Sequence, residues 1–218
     1  GDAMLGRVFN ALGETMDGGA DIRRTAMRPL DSPGVEAMQR PLIDTPLGTG
    51  IRAIDAALTL GKGQRIGIFS APGVGKSTLL GMMARQTTAD VIVVGLIGER
   101  GREVRDFCEQ ILDQDERNRS IIVAATGDES PLMRIRSAML ATTVAEHFRD
   151  EGKDVLLIMD SVTRFCQAQR QVGLATGEMP VTRGYPPSVF AMLPQLLERA
   201  GRSESGSITG LYSILVEG

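Results

Sequence analysis

The segment SAPGVGKST, residues 70–78, constrains the fold of this chain more than any other feature. The apolar run RIGIF precedes it, and a stretch rich in Leu and Met follows. This order predicts a strand, a glycine loop and a helix that begins near Lys76. Gly73 and Gly75 let successive backbone N–H groups face one concavity, and the helix start adds its positive dipole. The segment therefore predicts a site for the phosphates of a nucleotide.

The spacing matches G-x-x-x-x-G-K-[ST] except at Ser70, which only has to turn the chain out of the strand. The pattern assigns Lys76 to the β and γ phosphates, Ser77 to Mg²⁺ and Thr78 to the α-phosphate side. The alternative is a glycine-rich turn with a chance Lys-Ser pair, but the strand before it and the helix after it favour the phosphate site. The residues expected to contact nucleotide are Ala71, Pro72, Gly73, Val74, Gly75, Lys76, Ser77 and Thr78.

Composition limits the classes of partner. The 218 residues suffice for one large α/β domain, or for a domain with an added piece. A net charge of −3 gives no basic footprint for nucleic acid. No apolar run approaches the roughly 18 residues of a membrane span, and no signal pattern opens the sequence. Two distant cysteines, Cys108 and Cys166, favour buried free thiols in a reducing cytosol.

The chain changes character near Gly50. Residues 1–50 carry a short strand at 5–9 and a proline-rich connector, so we expect a connector or stub packed on the core. Residues 51–218 alternate apolar strands with amphipathic helices and form the main domain, an α/β fold with a mainly parallel sheet and helices on both faces. The predicted strands are 64–69, 91–97, 120–126, 155–159 and 208–216, of which 64–69 is expected to be buried and 208–216 is apolar on both faces. The predicted helices are 51–58, 76–87, 101–112, 131–151, 162–172 and 187–199. A long connection, 173–186, is expected to be mobile.

Two acids follow predicted strands. Asp160 comes directly after the strand 155–159, and Glu99 follows the strand that begins at Val91. Because parallel strands end at one edge of the sheet, both acids should meet the phosphate loop. Asp160 is then expected to hold Mg²⁺ indirectly, through the water molecules that the metal binds, and Glu99 to orient and polarise the attacking water. The alternatives are a helix N-cap for Asp160, which is compatible with the metal role, and a surface acid paired with neighbouring arginines for Glu99.

Two arginines complete the candidates. Arg100 could face the γ phosphate or tie a loop, and Arg164, four residues after Asp160, could share the same phosphate environment. The sequence thus nominates five catalytic candidates: Lys76, Glu99, Arg100, Asp160 and Arg164.

Several blocks of the chain carry a family resemblance. GQRIGIFSAPGVGKSTLL, LIGERGREVRDF, AEHFRDEGKDVLLIMDSVTRF, GYPPSVFAMLPQLLERAG and GSITGLYSILVEG resemble, in order and spacing, the ATPases of flagellar and type III secretion systems, kin of the rotary ATP synthase catalytic subunit. The resemblance covers nearly all of the chain, including DAMLGRVFNALGETMDG. It implies a RecA-like P-loop NTPase core that hydrolyses ATP with Mg²⁺. By position it makes Glu99 the catalytic glutamate and Arg100 the arginine after it. It makes Asp160 the metal-side aspartate, which would contact Mg²⁺ through a water molecule.

The resemblance also implies partners and a location. Such ATPases form a cytoplasmic homohexamer at the inner face of the bacterial membrane, docked at an export gate with a stator, where they release chaperones and unfold secreted substrates. The family's N-terminal β-barrel would precede Gly1. The segment with the arginine finger and the aromatic adenine contact, and the C-terminal helical domain, would follow Gly218. We therefore expect very slow ATP hydrolysis from this chain alone.

Three other functions stay open. One is a catalytic subunit of a proton-translocating rotary ATPase, although GERGREV and MDSVTRF look more like the export branch. Another is a non-catalytic nucleotide-binding ring subunit, which would not need an acid at Glu99. The third is a nucleic-acid motor, which the acidic balance disfavours. The sequence does not separate flagellar from virulence secretion.

Overall fold

A mainly parallel sheet carries the fold, and the computed structural model describes residues 1–22, 27–71, 73–111 and 114–216. The strands in chain order are β1 (Val8–Phe9), β2 (Pro46–Leu47), β3 (Leu60–Gly61), β4 (Arg65–Ser70), β5 (Val91–Glu99), β6 (Ser120–Thr126), β7 (Asp154–Asp160), β8 (Gly201–Arg202) and β9 (Ser207–Leu215). Over the described residues, seven strands form one sheet in the order β1-β6-β5-β7-β9-β4, with β8 antiparallel on β9 and the other pairs parallel. Strands β2 and β3 form a separate antiparallel pair.

Helices connect the parallel strands. They are α1 (Arg52–Ala57), α2 (Lys76–Gln86), α3 (Gly101–Asp106), α4 (Gln114–Asn118), α5 (Pro131–Asp150), α6 (Val162–Ala175) and α7 (Pro187–Glu198). A π-helical turn, Phe107–Ile111, follows α3 directly, so the single helix predicted for residues 101–112 is divided.

The two faces of the sheet are covered by different helices. Helices α5, α6 and α7 pack on one face, where Phe148 of α5 contacts the same cluster as Val93 of β5. Helices α2 and α3 pack on the other face, where Leu80 of α2 shares a cluster with Ile92. Successive strand residues point to opposite faces, so the continuous apolar strands bury both. The predicted α/β fold with helices on both faces is confirmed.

The prediction of a buried strand at residues 64–69 is wrong in one respect. Strand β4 is present, but it lies at one end of the described sheet, and its residues alternate between exposed and partly buried. Phe69 is 67% exposed. An apolar run is typical of a strand covered on both faces, but its place in the sheet decides how much of it is covered.

The N-terminal segment takes part in the sheet through β1. Val8 pairs with Ile122 and Phe9 with Val123 of β6, and Phe9 is 1% exposed. The predicted strand at residues 5–9 is therefore present but shorter. The division of the chain at residue 50 stays a prediction.

A buried polar network ties this segment to the helices. The guanidinium of Arg199 donates to both carboxylate oxygens of Glu146 and to the Thr143 hydroxyl on α5, and also to the carbonyl oxygen of Leu30. Arg199 and Glu146 are 4% and 1% exposed, so the pair depends on these complete hydrogen bonds to offset its desolvation. The connector is thereby held against the end of α7.

The connection predicted at residues 173–186 begins later, because α6 continues through Ala175. Within it, the amide of Glu178 donates to the carbonyl of Gly173 (2.9 Å), and the Glu178 carboxylate accepts from the amide of Ser188 (3.0 Å). The mobility expected for this connection remains a prediction.

Both cysteines are free, as the sequence predicted, and burial raises the pKa of each thiol to about 11. Cys166 is buried, whereas Cys108 is only partly so. Over the described part of the chain, no helix combines the length and apolarity that crossing a membrane requires.

Candidate functional site

The loop between β4 and α2 has the backbone that a phosphate cradle needs. Gly73 and Gly75 have φ angles of 79° and 95°, in the left-handed region that glycine adopts without strain. No heavy atom lies within 4 Å of a Cβ built at either glycine, so the space beside them is open. Pro72, one of the predicted contact residues, lies outside the described residues; Ala71 is described and is partly buried.

The start of α2 presents backbone donors to this loop. Gly75 is the N-cap, and its carbonyl accepts the first helical bond from the amide of Leu79 (3.0 Å). The N–H groups of Lys76, Ser77 and Thr78 therefore precede the first helical hydrogen bond and lie at the positive end of the helix dipole. Ser77, Thr78 and the preceding Val74 are exposed, so an anion could reach them.

Lys76, Asp160 and Ser213 form a buried cluster, which we call the carboxyl-edge triad. The Lys76 ammonium forms an ion pair with Oδ1 of Asp160, and these side chains are 10% and 4% exposed. The hydroxyl of Ser213 donates to the same Oδ1 (2.6 Å), and the ammonium lies 3.4 Å from that hydroxyl oxygen. Over the described residues, no hydrogen bond reaches Oδ2 of Asp160. The cluster joins three separate elements, α2, β7 and β9.

A cavity of about 150 Å³ opens beside the triad. Its lining brings together three of the predicted residues, Ser77, Glu99 and Asp160, and also includes Glu103 and Phe107. Oε1 of Glu99 is buried and has no hydrogen-bond partner among the described residues. Burial, a hydrogen bond shared with the Glu103 carboxyl group and the charge of Asp160 raise the pKa of Glu99 to about 8, against the opposing charge of Lys76. The raised pKa favours the protonated form of Glu99 in the absence of ligand.

The structure does not support the alternative roles of Asp160 and Glu99. Ser161, not Asp160, is the N-cap of α6, where it accepts from the amide of Arg164. Over the described residues Glu99 forms no ion pair, and Arg102 pairs instead with Asp106 (3.7 Å). Neither a helix N-cap nor an arginine ion pair therefore accounts for these two acids.

The two arginines lie outside the cavity lining. Arg100 is exposed at the N-cap of α3. Arg164, in the first turn of α6, packs against Gly98, and its Nε is buried with no partner in the described part of the chain. Their roles at a phosphate stay predictions.

The donor set suits Mg²⁺. Ser77 and Asp160 both line the cavity and carry side-chain oxygens, and oxygen is the ligand that Mg²⁺ prefers. Among the described residues, no three His, Cys, Asp or Glu side chains group closely enough to hold a metal by themselves. A cation here would therefore share its coordination with the phosphate oxygens of a nucleotide, as Mg²⁺ sites commonly do.

Sequence reasoning assigned no role to Ser213 or Glu103. Ser213 lies within an apolar strand, and only the pairing of β9 with β7 brings its hydroxyl to Asp160. Glu103 follows Glu99 by four residues across a strand-to-helix junction, where no regular period predicts their contact. Local spacing carried no signal for either residue.

Comparison with known proteins places the chain in a family. The model of the "ATP synthase alpha/beta family, nucleotide-binding domain" matches residues 50–218. The "Flagellum-specific ATP synthase" of Pseudomonas aeruginosa is 54% identical over all of this chain and 49% of its own length. The "Type 3 secretion system ATPase" of Xanthomonas euvesicatoria is 56% identical over all of this chain and 49% of its own length. The chain thus spans about half the length of these curated relatives.

A solved structure gives the same likeness in three dimensions. The assembled ATPase EscN from the enteropathogenic E. coli type III secretion system superimposes with a TM-score of 0.96 at 50% identity, over all of this chain and 53% of that one. EscN has also been solved in complex with its central stalk EscO, and that structure matches with a TM-score of 0.94.

Proposed function

Because the chain belongs to the ATP synthase alpha/beta family, we propose that its carboxyl sheet edge binds and hydrolyses ATP with Mg²⁺ to drive protein export through a flagellar or virulence type III secretion system. One observation carries the proposal. Three separate stretches of the chain, the start of α2 and the ends of β5 and β7, converge on one cavity and its adjoining ion pair. They bring together Lys76, Ser77, Glu99 and Asp160. A nucleotide-binding fold used only for structure would not need an acid such as Glu99, which has a buried carboxylate oxygen without a partner among the described residues.

The geometry suggests how the residues act. The free N–H groups at the start of α2 bind phosphate oxygens, and Lys76 exchanges its contact with Asp160 for the β and γ phosphates. Ser77 and Asp160 would hold Mg²⁺, which neutralises charge that develops on the phosphoryl oxygens. Glu99 lies on the same cavity, where it can position a water and accept its proton once its own proton has left.

The wider setting is also part of the proposal. Relatives named for flagellar and for type III secretion ATPases match this chain almost equally well, so both branches stay open. The solved relative is described as assembled and as bound to a central stalk, which supports an oligomer with a partner protein. On the family resemblance we further propose that this oligomer is a homohexamer and that its partners include a stator, export chaperones and secreted substrates. A location at the inner face of the bacterial membrane follows from those partners, and nucleic acid is not among them.

The first test measures nucleotide binding. Lys76→Ala should abolish measurable Mg-ATP binding in calorimetry, because no other side chain of the loop neutralises the phosphate charge. Lys153→Ala is the matched control, since Lys153 is exposed and lies away from the site. Thermal denaturation of both variants checks that Asp160, left without its cation, has not unfolded the chain. Unchanged affinity in folded Lys76→Ala would overturn the proposal.

A further inference from the structure

The Asp160 carboxylate accepts a hydrogen bond from Ser213, a residue without a role in the proposed function. We propose that Ser213 is a positioning residue: its hydroxyl fixes the Asp160 carboxylate so that Oδ2 faces the cavity where Mg²⁺ and the phosphates bind. The inference rests on the proposed function and deepens it, since it names what orients the metal-side acid.

The sheet places Ser213 where it can act on Asp160. Strand β9 lies between β7 and β4, and Tyr212 pairs with Met159, so the next residues, Ser213 and Asp160, are neighbours across the two strands. Their side chains point to the α2 face, since both reach Lys76. Ser213 is fully buried, so water does not compete for its hydrogen bond.

The hydrogen bond matters most when Lys76 leaves. In the ligand-free arrangement Oδ1 of Asp160 accepts from both Lys76 and Ser213. Phosphate binding draws the Lys76 ammonium away, and Ser213 then remains as the one described side chain that donates to Asp160. A hydrogen bond to a charged acceptor is stronger than a neutral one. It therefore keeps the carboxylate from rotating while its other oxygen serves the metal.

The chain contains a matched control on the same two strands. Ser207 donates to Oδ1 of Asp154 (2.6 Å), and Lys62 donates to Oδ2 of that acid (2.5 Å); we call Lys62, Asp154 and Ser207 the amino-edge triad. Ser207 and Asp154 pair directly across β9 and β7, at the sheet edge opposite the phosphate loop. Ser207→Ala thus removes the same kind of hydrogen bond, from the same strand, without touching the cavity.

The experiment compares ATP affinity with Mg²⁺ and with EDTA, measured by calorimetry for the wild-type chain and three variants. Ser213→Ala should lower the Mg²⁺-dependent gain in affinity about 10-fold, at the lower end of the effect of losing an outer partner of a metal ligand. Its affinity in EDTA should stay within about twofold of wild type. Ser213→Thr, which keeps the hydroxyl, should restore the gain, and Ser207→Ala should leave it unchanged.

Each outcome decides something. An equal loss in Ser207→Ala, or no rescue by Ser213→Thr in a folded protein, would reduce Ser213 to a structural role and overturn the inference. A wild-type Mg²⁺ gain in Ser213→Ala would overturn it as well, while leaving the proposed function intact. Failure of the wild-type chain to bind Mg-ATP, or normal binding by Lys76→Ala, would instead count against the proposed function itself.

Discussion

Strands β7 and β9 carry an Asp–Ser pair at each end, and each pair binds a lysine from another segment of the chain. The two Lys–Asp–Ser clusters use the same kinds of side chain differently. In the amino-edge triad Lys62 and Ser207 donate to different oxygens of Asp154, so both oxygens are occupied. In the carboxyl-edge triad both donors converge on Oδ1 of Asp160, and no hydrogen bond from a described residue reaches Oδ2. Equal composition therefore gives a closed cluster at one edge and an open one at the other.

Burial separates the triads further. The side chains of Lys62 and Asp154 are each 27% exposed, whereas those of Lys76 and Asp160 are 10% and 4% exposed. A carboxylate oxygen without a hydrogen bond costs little free energy where water reaches it, as in the amino-edge triad. It costs more where the side chain is buried, as in the carboxyl-edge triad. Because the costly arrangement lies beside the phosphate loop, we attribute it to ligand binding rather than to stability.

The largest effect should come from Glu99→Gln. Like Asp160, Glu99 lines the cavity and has a carboxylate oxygen without a hydrogen-bond partner among the described residues. In a preparation that hydrolyses ATP, phosphate release should fall about 10²–10⁴-fold, because the amide cannot accept a proton, while nucleotide affinity stays near normal. Glu109→Gln, an exposed acid paired with Arg105, is the control. Undiminished turnover in Glu99→Gln would return Glu99 to a structural role.

The same substitution should stabilise the ligand-free protein. The folded-state pKa of Glu99, about 8, lies above its ordinary value of 4.5. Between those values the unfolded chain releases the proton and the folded chain keeps it, so stability falls as pH rises. Glu99→Gln should thus match wild type near pH 4 and exceed it by about 1–2 kcal/mol at pH 8, less than full linkage because the side chain is partly exposed. Equal melting temperatures at pH 8 would contradict this.

An effect of intermediate size should distinguish Asp160 from Asp154. Asp160→Asn should lower the Mg²⁺-dependent gain in ATP affinity about 10–100-fold, because an amide is a weaker partner of a divalent cation. Affinity in EDTA should not fall, since Lys76 is released from its ion pair. Asp154→Asn should change neither value. If both substitutions weaken the Mg²⁺ gain alike, the distinction between an open and a closed triad is wrong.

The smallest effect should come from opening the amino-edge triad. Burial raises the pKa of Asp154, but the hydrogen bonds from Lys62 and Ser207 outweigh it and hold the pKa below its usual value. Their contribution is present above the unfolded pKa and is lost as pH falls through the folded one. Lys62→Met should therefore cost about 1 kcal/mol at pH 7, or about 2–4 °C in Tm, with less cost in acid. Lys153→Met is the control, and weaker ATP binding in Lys62→Met would contradict the assignment.

The sequence predicted the parts of the site that depend on order along the chain. Periodicity located the strands and helices, the loop spacing singled out Lys76 and Ser77, and strand ends pointed to Glu99 and Asp160. The triads could not be predicted in this way, because they depend on which strands are neighbours and in what register. The exposure of Phe69 was missed for the same reason, since the position of β4 in the sheet is a tertiary property.

Strand β1 has a practical consequence for any shortened version of the protein. The family model begins at residue 50, yet β1 pairs with Ile122 and Val123 on the outer side of β6. A chain trimmed to that boundary would leave β6 as an exposed, apolar edge strand. Its unpaired backbone N–H and C=O groups could then pair with a strand of another molecule. Poor solubility of such a trimmed protein would then report a lost neighbour for β6 rather than a faulty nucleotide site.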